Sequence, residues 1–228
     1  MTRNWIDKIT RAAAWLRRKQ RVVTYQNPVK VNLGSGLTVA PGWINLDGSL
    51  SAFVSAWPKV ILNKLYDYTD SRQWYTRDQY IRILTSHRFV YHQLEHGLPF
   101  EDDSIDYIYS SHMLEHLYKE EAFALLKDAY RTLKKGGRIR IAVPDLAIVV
   151  NLYQGGRKKE ALDYFFSESR GGALNCHRYM YDFELLRCLF ESAGFLDVER
   201  CFYRIGKVPD IEQLDNRPEE TLYVEASK

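Results

Sequence analysis

The sequence predicts an α/β protein, with a mostly parallel sheet, helices on both of its faces and an antiparallel last strand. Three observations predict it. Short apolar runs bounded by glycine or proline recur along the chain and read as buried strands. Amphipathic segments of helical length separate several of them, the alternation that builds parallel sheets. The last two runs, over 196–202 and 221–225, have only a long polar loop between them, which makes them a hairpin.

Bulk properties bound the rest. At 228 residues and 46% hydrophobic content, the chain suits one domain with additions around a substantial core. A net charge of +3 makes no case for a nucleic-acid partner. The three cysteines (Cys176, Cys188, Cys201) show no C-x-x-C spacing, so neither a disulfide framework nor a zinc ribbon is indicated; this fits a reducing cytoplasm. No apolar run approaches the ~18 residues of a membrane span.

Residues 3–23 place Trp5, Ile6, Ile9, Ala12, Ala13 and Leu16 at helical spacing, with Arg11, Arg17, Arg18, Lys19 and Arg21 elsewhere. This basic amphipathic helix sets residues 1–28 apart as a segment that either docks on the domain or meets the inner face of a membrane. The domain proper runs over 29–228. It opens with a strand (Val29, Val31, Leu33) that meets the turn Gly34-Ser35-Gly36, and a second strand closes on Asp47. The glycines let the backbone approach a ligand, and Asp47 is placed to accept from the two hydroxyls of a ribose. A nicotinamide-type G-x-G-x-x-G is excluded, because Val39 stands where its third glycine belongs. Only residues 34–42 join these strands, fewer than the dozen or so of a usual parallel crossover, so a single turn or an extended loop is expected.

Residues 50–88 are long and aromatic and read as an insertion, interrupted at Pro58, with a helix over 77–85. A third strand follows at 89–94, and a fourth at 105–109. A helix over 115–135 is expected to stop at Gly136-Gly137 as a glycine cap. The fifth strand, 138–143, ends at Pro144, and a second insertion spans 151–181. The last helix runs from Asp182, an N-cap, to Ser192, with Gly194 ending it.

The stretches LPFEDDSIDYIYSSHMLEHL (98–117), RTLKKGGRIRIAVPDL (131–146), ESAGFLDVE (191–199) and TLYVEA (221–226) resemble the class I S-adenosylmethionine-dependent methyltransferases. The likeness is to the small-molecule branch found beside polysaccharide and cell-envelope genes. It implies a Rossmann-like, seven-stranded sheet and S-adenosylmethionine as cofactor, with S-adenosylhomocysteine as product and no metal. It also implies that Gly34, Ser35 and Gly36 hold the methionine end, that Asp47 takes the ribose hydroxyls, and that Ser111 and His112 lie against the methionine portion. Gln93 and Leu94 fall beside the adenine, where the family usually has an aspartate and an apolar residue.

Methyl transfer from a sulfonium releases a neutral thioether, so alignment does most of the work and a base matters only for a weak nucleophile. Candidate bases are His116 first, then His112 and Asp145 at the strand ends, and His177 and Tyr179 from the segment before the last helix. The run His112-Met-Leu-Glu115-His116 also fits the H-x-x-E-H pattern of inverted zinc peptidases, which needs both histidines on one continuous helix. Trp57, Trp74, Tyr75 and Tyr80 could stack on an acceptor, and Lys158, Lys159, Arg170 and Arg178 could meet phosphates. The resulting expectation is O-methylation of a sugar in a small molecule or glycan. A protein that keeps the fold and binds without turnover, as a scaffold in an envelope-biosynthesis complex, is the alternative.

Overall fold

The computed structural model describes residue 15, residues 21–166 and residues 176–228. The helix expected over 3–23 lies almost wholly outside the described residues, as does Arg170. Seven strands form one sheet: β1 (Lys30–Leu33), β2 (Trp43–Asp47), β3 (Arg88–Tyr91), β4 (Ile105–Ser111), β5 (Leu133–Pro144), β6 (Leu196–Cys201) and β7 (Thr221–Ser227). Their order is β3-β2-β1-β4-β5-β7-β6. The first five strands pair parallel, while β7 runs antiparallel to both β5 and β6. The chain therefore starts mid-sheet at β1, winds outward to β3, and returns to β4 on the other side. That reversal opens a crevice at the carboxyl ends of β1 and β4, where ligands of open α/β sheets sit.

Among the described residues the helices are α1 (Leu50–Val54), α2 (Lys59–Tyr66), α3 (Arg77–Ser86), α4 (Lys119–Thr132), α5 (Leu146–Gln154), α6 (Lys158–Phe166), α7 (Phe183–Ala193) and α8 (Ile211–Leu214). The two-residue period of the strands divides them between two faces. Val31, Leu33, Ile44, Leu46, Ile108, Ile139 and Ile141 point one way and form the main core with Leu126 of α4 and Phe190 of α7. Trp43 and Tyr109 point the other way, against Val208, Ile211 and Leu214 of the excursion between β6 and β7. The aromatic insertion closes over Phe89 with its own small core of Val54, Leu62, Tyr80 and Leu84. None of the helices is long and apolar enough to cross a membrane, among the described residues.

The short link over 34–42 holds turns and no helix, yet β1 and β2 pair in parallel register from Lys30↔Trp43 to Leu33↔Leu46. Buried Asn32 makes it possible, since its amide donates to the Thr38 carbonyl (2.9 Å) and to Asn45 Oδ1 (3.2 Å), fastening the loop to both strands. The last long helix keeps its expected ends. Asp182 accepts from the Leu185 amide (2.8 Å), and Gly194 takes a left-handed conformation at φ 108°.

Three boundaries differ from the sequence reading. The helix expected over 115–135 is α4, which starts only at Lys119, and Leu114–His116 form a separate 3₁₀ turn. Gly136 and Gly137 do not cap it. They belong to β5, where the Gly136 amide donates to the Lys228 carbonyl and the Gly137 carbonyl accepts from the Lys228 amide. Pairing with the chain's last residue outcompetes a local cap. The third strand stops at Tyr91, and Leu94–His96 turn as a 3₁₀ segment.

Candidate active site

Two clefts meet at the carboxyl ends of β1 and β4, and both are lined by His112 and Arg217. The smaller is walled by the turn Gly34–Thr38 together with Asn32, Tyr109, Ser111 and Asn216. Gly34 has φ 61°, and a Cβ there would run into the Met113 side chain, so this position requires glycine. Gly36 also has a positive φ, 52°, but a Cβ there would meet nothing within 4 Å. The Gly36 amide is engaged by Asp47, whose Oδ2 accepts it (2.8 Å) while Oδ1 accepts from the Ser49 amide (2.6 Å). Asp47 thus clamps the turn against the end of β2. Asn216 closes the far side by donating to Thr38 Oγ1 (3.0 Å).

Of the residues expected to hold a cofactor, Gly34, Ser35, Gly36 and Ser111 line this cleft. Asp47, Gln93 and Leu94 do not line it and sit beyond it, at and after the ends of β2 and β3. The Gln93 amide donates to the Gly48 carbonyl (3.3 Å), next to Asp47. Sequence reasoning missed Asn32, Asn216 and Arg217. Asn32 alone had a signal, a polar residue inside an apolar strand, opposite Asn45 in the neighbouring one.

The larger cleft is lined by Trp74, Asp163, Tyr164, Glu219, Glu220 and Thr221 around a histidine-rich floor. His112 follows β4 directly and holds φ 49°, a strained conformation for a residue with a Cβ. Its Nε2 lies 3.2 Å from Thr221 Oγ1, and its Nδ1 lies 3.4 Å from Glu115 Oε1. Glu115 is 1% exposed, and neither carboxylate oxygen has a hydrogen-bond partner. Its backbone carbonyl accepts from the amides of Arg178 (2.7 Å) and Tyr179 (3.2 Å). Those two bonds draw His177 in beside it. Burial pushes the His177 imidazole below its ordinary pKa, against the opposing charge of Glu115. The buried Tyr181 hydroxyl, also without a partner, is pushed up chiefly by burial, with Tyr179 and Glu115 adding to it.

His112, His116 and His177 therefore gather around one carboxylate, whereas Asp145 stands apart. Asp145 is buried, caps α5 by accepting from the Ala147 amide (3.0 Å), and pairs with Arg200 (2.7 Å). His116 closes the 3₁₀ turn rather than opening a helix. The continuous helix required by a zinc-peptidase H-x-x-E-H is absent, because His112 lies outside that turn. Among the aromatic candidates only Trp74 lines the larger cleft, while Tyr80 is core and Trp57 packs on Phe53. Lys159 pairs with Asp163, Lys158 lies over the Tyr153 ring, and Arg178 lies over the Tyr118 ring.

No curated protein matches the chain by sequence. The family model described as a methyltransferase domain matches residues 66–141, which takes in β3 to β5 and the histidine segment but starts beyond the glycine turn. An S-adenosylmethionine-dependent methyltransferase from Thermotoga maritima superposes with a TM-score of 0.51 at 16% identity, over 99% of this chain and 95% of that one. The S-adenosylmethionine-dependent methyltransferase SibL, in its apo form, gives 0.51 at 16% identity, over 88% of this chain and 50% of that one. At such identity the superpositions speak for the fold. Together with a sheet that reverses at β1 and β4 and an antiparallel β7, they give the chain the Rossmann-like fold of the class I S-adenosylmethionine-dependent methyltransferases, with a methyltransferase-domain match over residues 66–141.

Proposed function

We propose that the protein transfers a methyl group from S-adenosylmethionine to a hydroxyl oxygen of a polyhydroxylated acceptor, a sugar in a small molecule or glycan. The observation that carries this is the meeting of two clefts at His112, one walled by the glycine turn and the other large and polar. The cofactor supplies a methyl on a sulfonium whose leaving group is a neutral thioether, so no acid is needed. The cradle fits the cofactor's methionine end: the turn presents backbone rather than side chain at Gly34 and Gly36, and Arg217 at the rim offers a cation to its carboxylate.

In this scheme the acceptor occupies the larger cleft. Trp74 gives it an apolar wall, and the carboxylates of Asp163, Glu219 and Glu220 accept from hydroxyl donors. His112 acts as the base. In the tautomer with the proton on Nδ1, the side nearest the Glu115 carboxylate, Nε2 takes a proton from an acceptor that enters beside Thr221 Oγ1. His116, the first choice on sequence grounds, lines the acceptor side only. To test this, titrate the protein with S-adenosylhomocysteine in a calorimeter, then incubate it with methyl-labelled cofactor and sugar acceptors. One-to-one binding and label in a methyl ether are expected, with His112→Asn lowering turnover by about 10²–10⁴-fold while product binding persists. No binding of cofactor or product would instead favour a scaffold, and label confined to amines or carboxylates would overturn the hydroxyl acceptor.

A further inference from the structure

The buried Glu115 carboxylate has no role in the fold that hydrogen bonding explains. Three imidazole nitrogens stand within ion-pair range of its Oε1: His112 Nδ1 at 3.4 Å, His116 Nε2 at 3.8 Å and His177 Nε2 at 4.0 Å. None of them makes a hydrogen bond to it. The other nitrogens explain why. His177 Nδ1 lies 2.6 Å from the Tyr164 carbonyl, and His116 Nδ1 lies 3.2 Å from the Cys176 carbonyl. A carbonyl oxygen can only accept, so both Nδ1 atoms carry the proton, and in the neutral imidazole each Nε2 presents a lone pair toward the carboxylate. Lone pairs facing an anionic oxygen repel it unless a proton or a metal cation stands between them.

We infer that Glu115, His116 and His177 form a binding site for a divalent transition-metal ion of the zinc class, with its open side facing the larger cleft. Two imidazoles and one carboxylate, leaving a position free, is a donor set that such ions take in catalytic sites. Backbone carbonyls that orient each ligating imidazole through its far N–H are the usual outer support of metal histidines, and both histidines here have one. The ligand atoms of Glu115, His116 and His177 all lie within 4.8 Å of one another. Across a filled tetrahedral site they would stand about 3.3 Å apart, so the set closes by a contraction of about half an ångström at its shortest pair and at most about 1.5 Å at its widest. His112 stays outside the set with Nδ1 3.4 Å from the same carboxylate, which places the proposed base beside the ion.

The ion's use, though not its binding, rests on the methyl-transfer reading. A hydroxyl of the acceptor coordinated at the open position would give up its proton to His112. The oxygen–carbon bond would then form as the sulfur–methyl bond breaks.

To test the site, strip the full-length protein with a chelator and titrate it with Co²⁺, following the visible d–d absorption, with Zn²⁺ as competitor. One ion per chain is expected, with a spectrum distinct from aqueous Co²⁺ that Zn²⁺ erases. Glu115→Gln and the more exposed His116→Ala should each weaken binding by at least about tenfold. Calorimetry with S-adenosylhomocysteine, run on the same samples, reports folding and the cofactor cleft independently. Stripped protein that binds S-adenosylhomocysteine but leaves the aqueous Co²⁺ spectrum unchanged overturns the metal site and spares the methyl-transfer reading. Equal Co²⁺ affinity in the wild type and both variants also overturns it. Saturable Co²⁺ binding without S-adenosylhomocysteine binding keeps the site and removes its proposed use.

Discussion

Gly34 and Gly36 share a left-handed backbone but face different surroundings, and the difference separates folding from binding at a single turn. At Gly34 an added methyl meets both a disfavoured φ and the Met113 side chain. Gly34→Ala should therefore lower stability by about 1–3 kcal/mol, read as a drop in the denaturation midpoint. At Gly36 the space is open, so only backbone strain of roughly 1–2 kcal/mol applies. Gly36→Ala should fold and show its main loss in S-adenosylhomocysteine affinity by calorimetry. Comparable affinity losses with no difference in stability would contradict this division.

Among the elements, the junction of β5 and α5 decides what Asp145 does. One carboxylate oxygen caps the helix and the other pairs with Arg200, whose side chain is half exposed. Asparagine keeps the cap and loses the ion pair, whereas alanine loses both. Asp145→Asn should leave methyl transfer within about threefold of wild type and cost no more than about 1 kcal/mol, because the Arg200 side chain is half exposed and water takes over its charge. Asp145→Ala should cost about 1–2 kcal/mol more through the lost cap. A 100-fold loss of turnover in the asparagine variant, at unchanged stability, would restore Asp145 to the list of bases.

For the molecule as a whole, buried His92 makes stability depend on pH. Its Nε2 lies 2.7 Å from the Gly97 carbonyl, and burial holds its pKa below the ordinary value, helped by His96 and opposed by Gly97 and Asp128. Between the folded pKa and the unfolded value near about 6.5, the unfolded chain binds more protons, so stability falls as pH drops through that window. Below the folded pKa this contribution levels off. Urea denaturation at about pH 7.5 and about pH 5.5 should show a larger loss in the wild type than in His92→Gln, which cannot titrate. Equal losses would remove His92 as the cause.

The sequence by itself determined the strands, the two-faced sheet, the antiparallel end and the glycine turn. These are consequences of local pattern: period-two burial, caps such as Asp182, and residues such as Gly34 that tolerate positive φ. It also determined the lean link over 34–42, because chain length alone forbade a helix there. The tertiary structure decided which polar residues meet. Arg140, Asp215 and Glu225 are fully buried and bonded together, although 75 and 85 residues separate the arginine from its two partners. His177 reaches Glu115 only because two amides of its own segment bind the Glu115 carbonyl. Gly136-Gly137 read as a helix stop because a strand pairing with Lys228 leaves no local trace. Period and propensity act over a few residues, whereas a cluster of charges is fixed by packing that brings distant segments to one point.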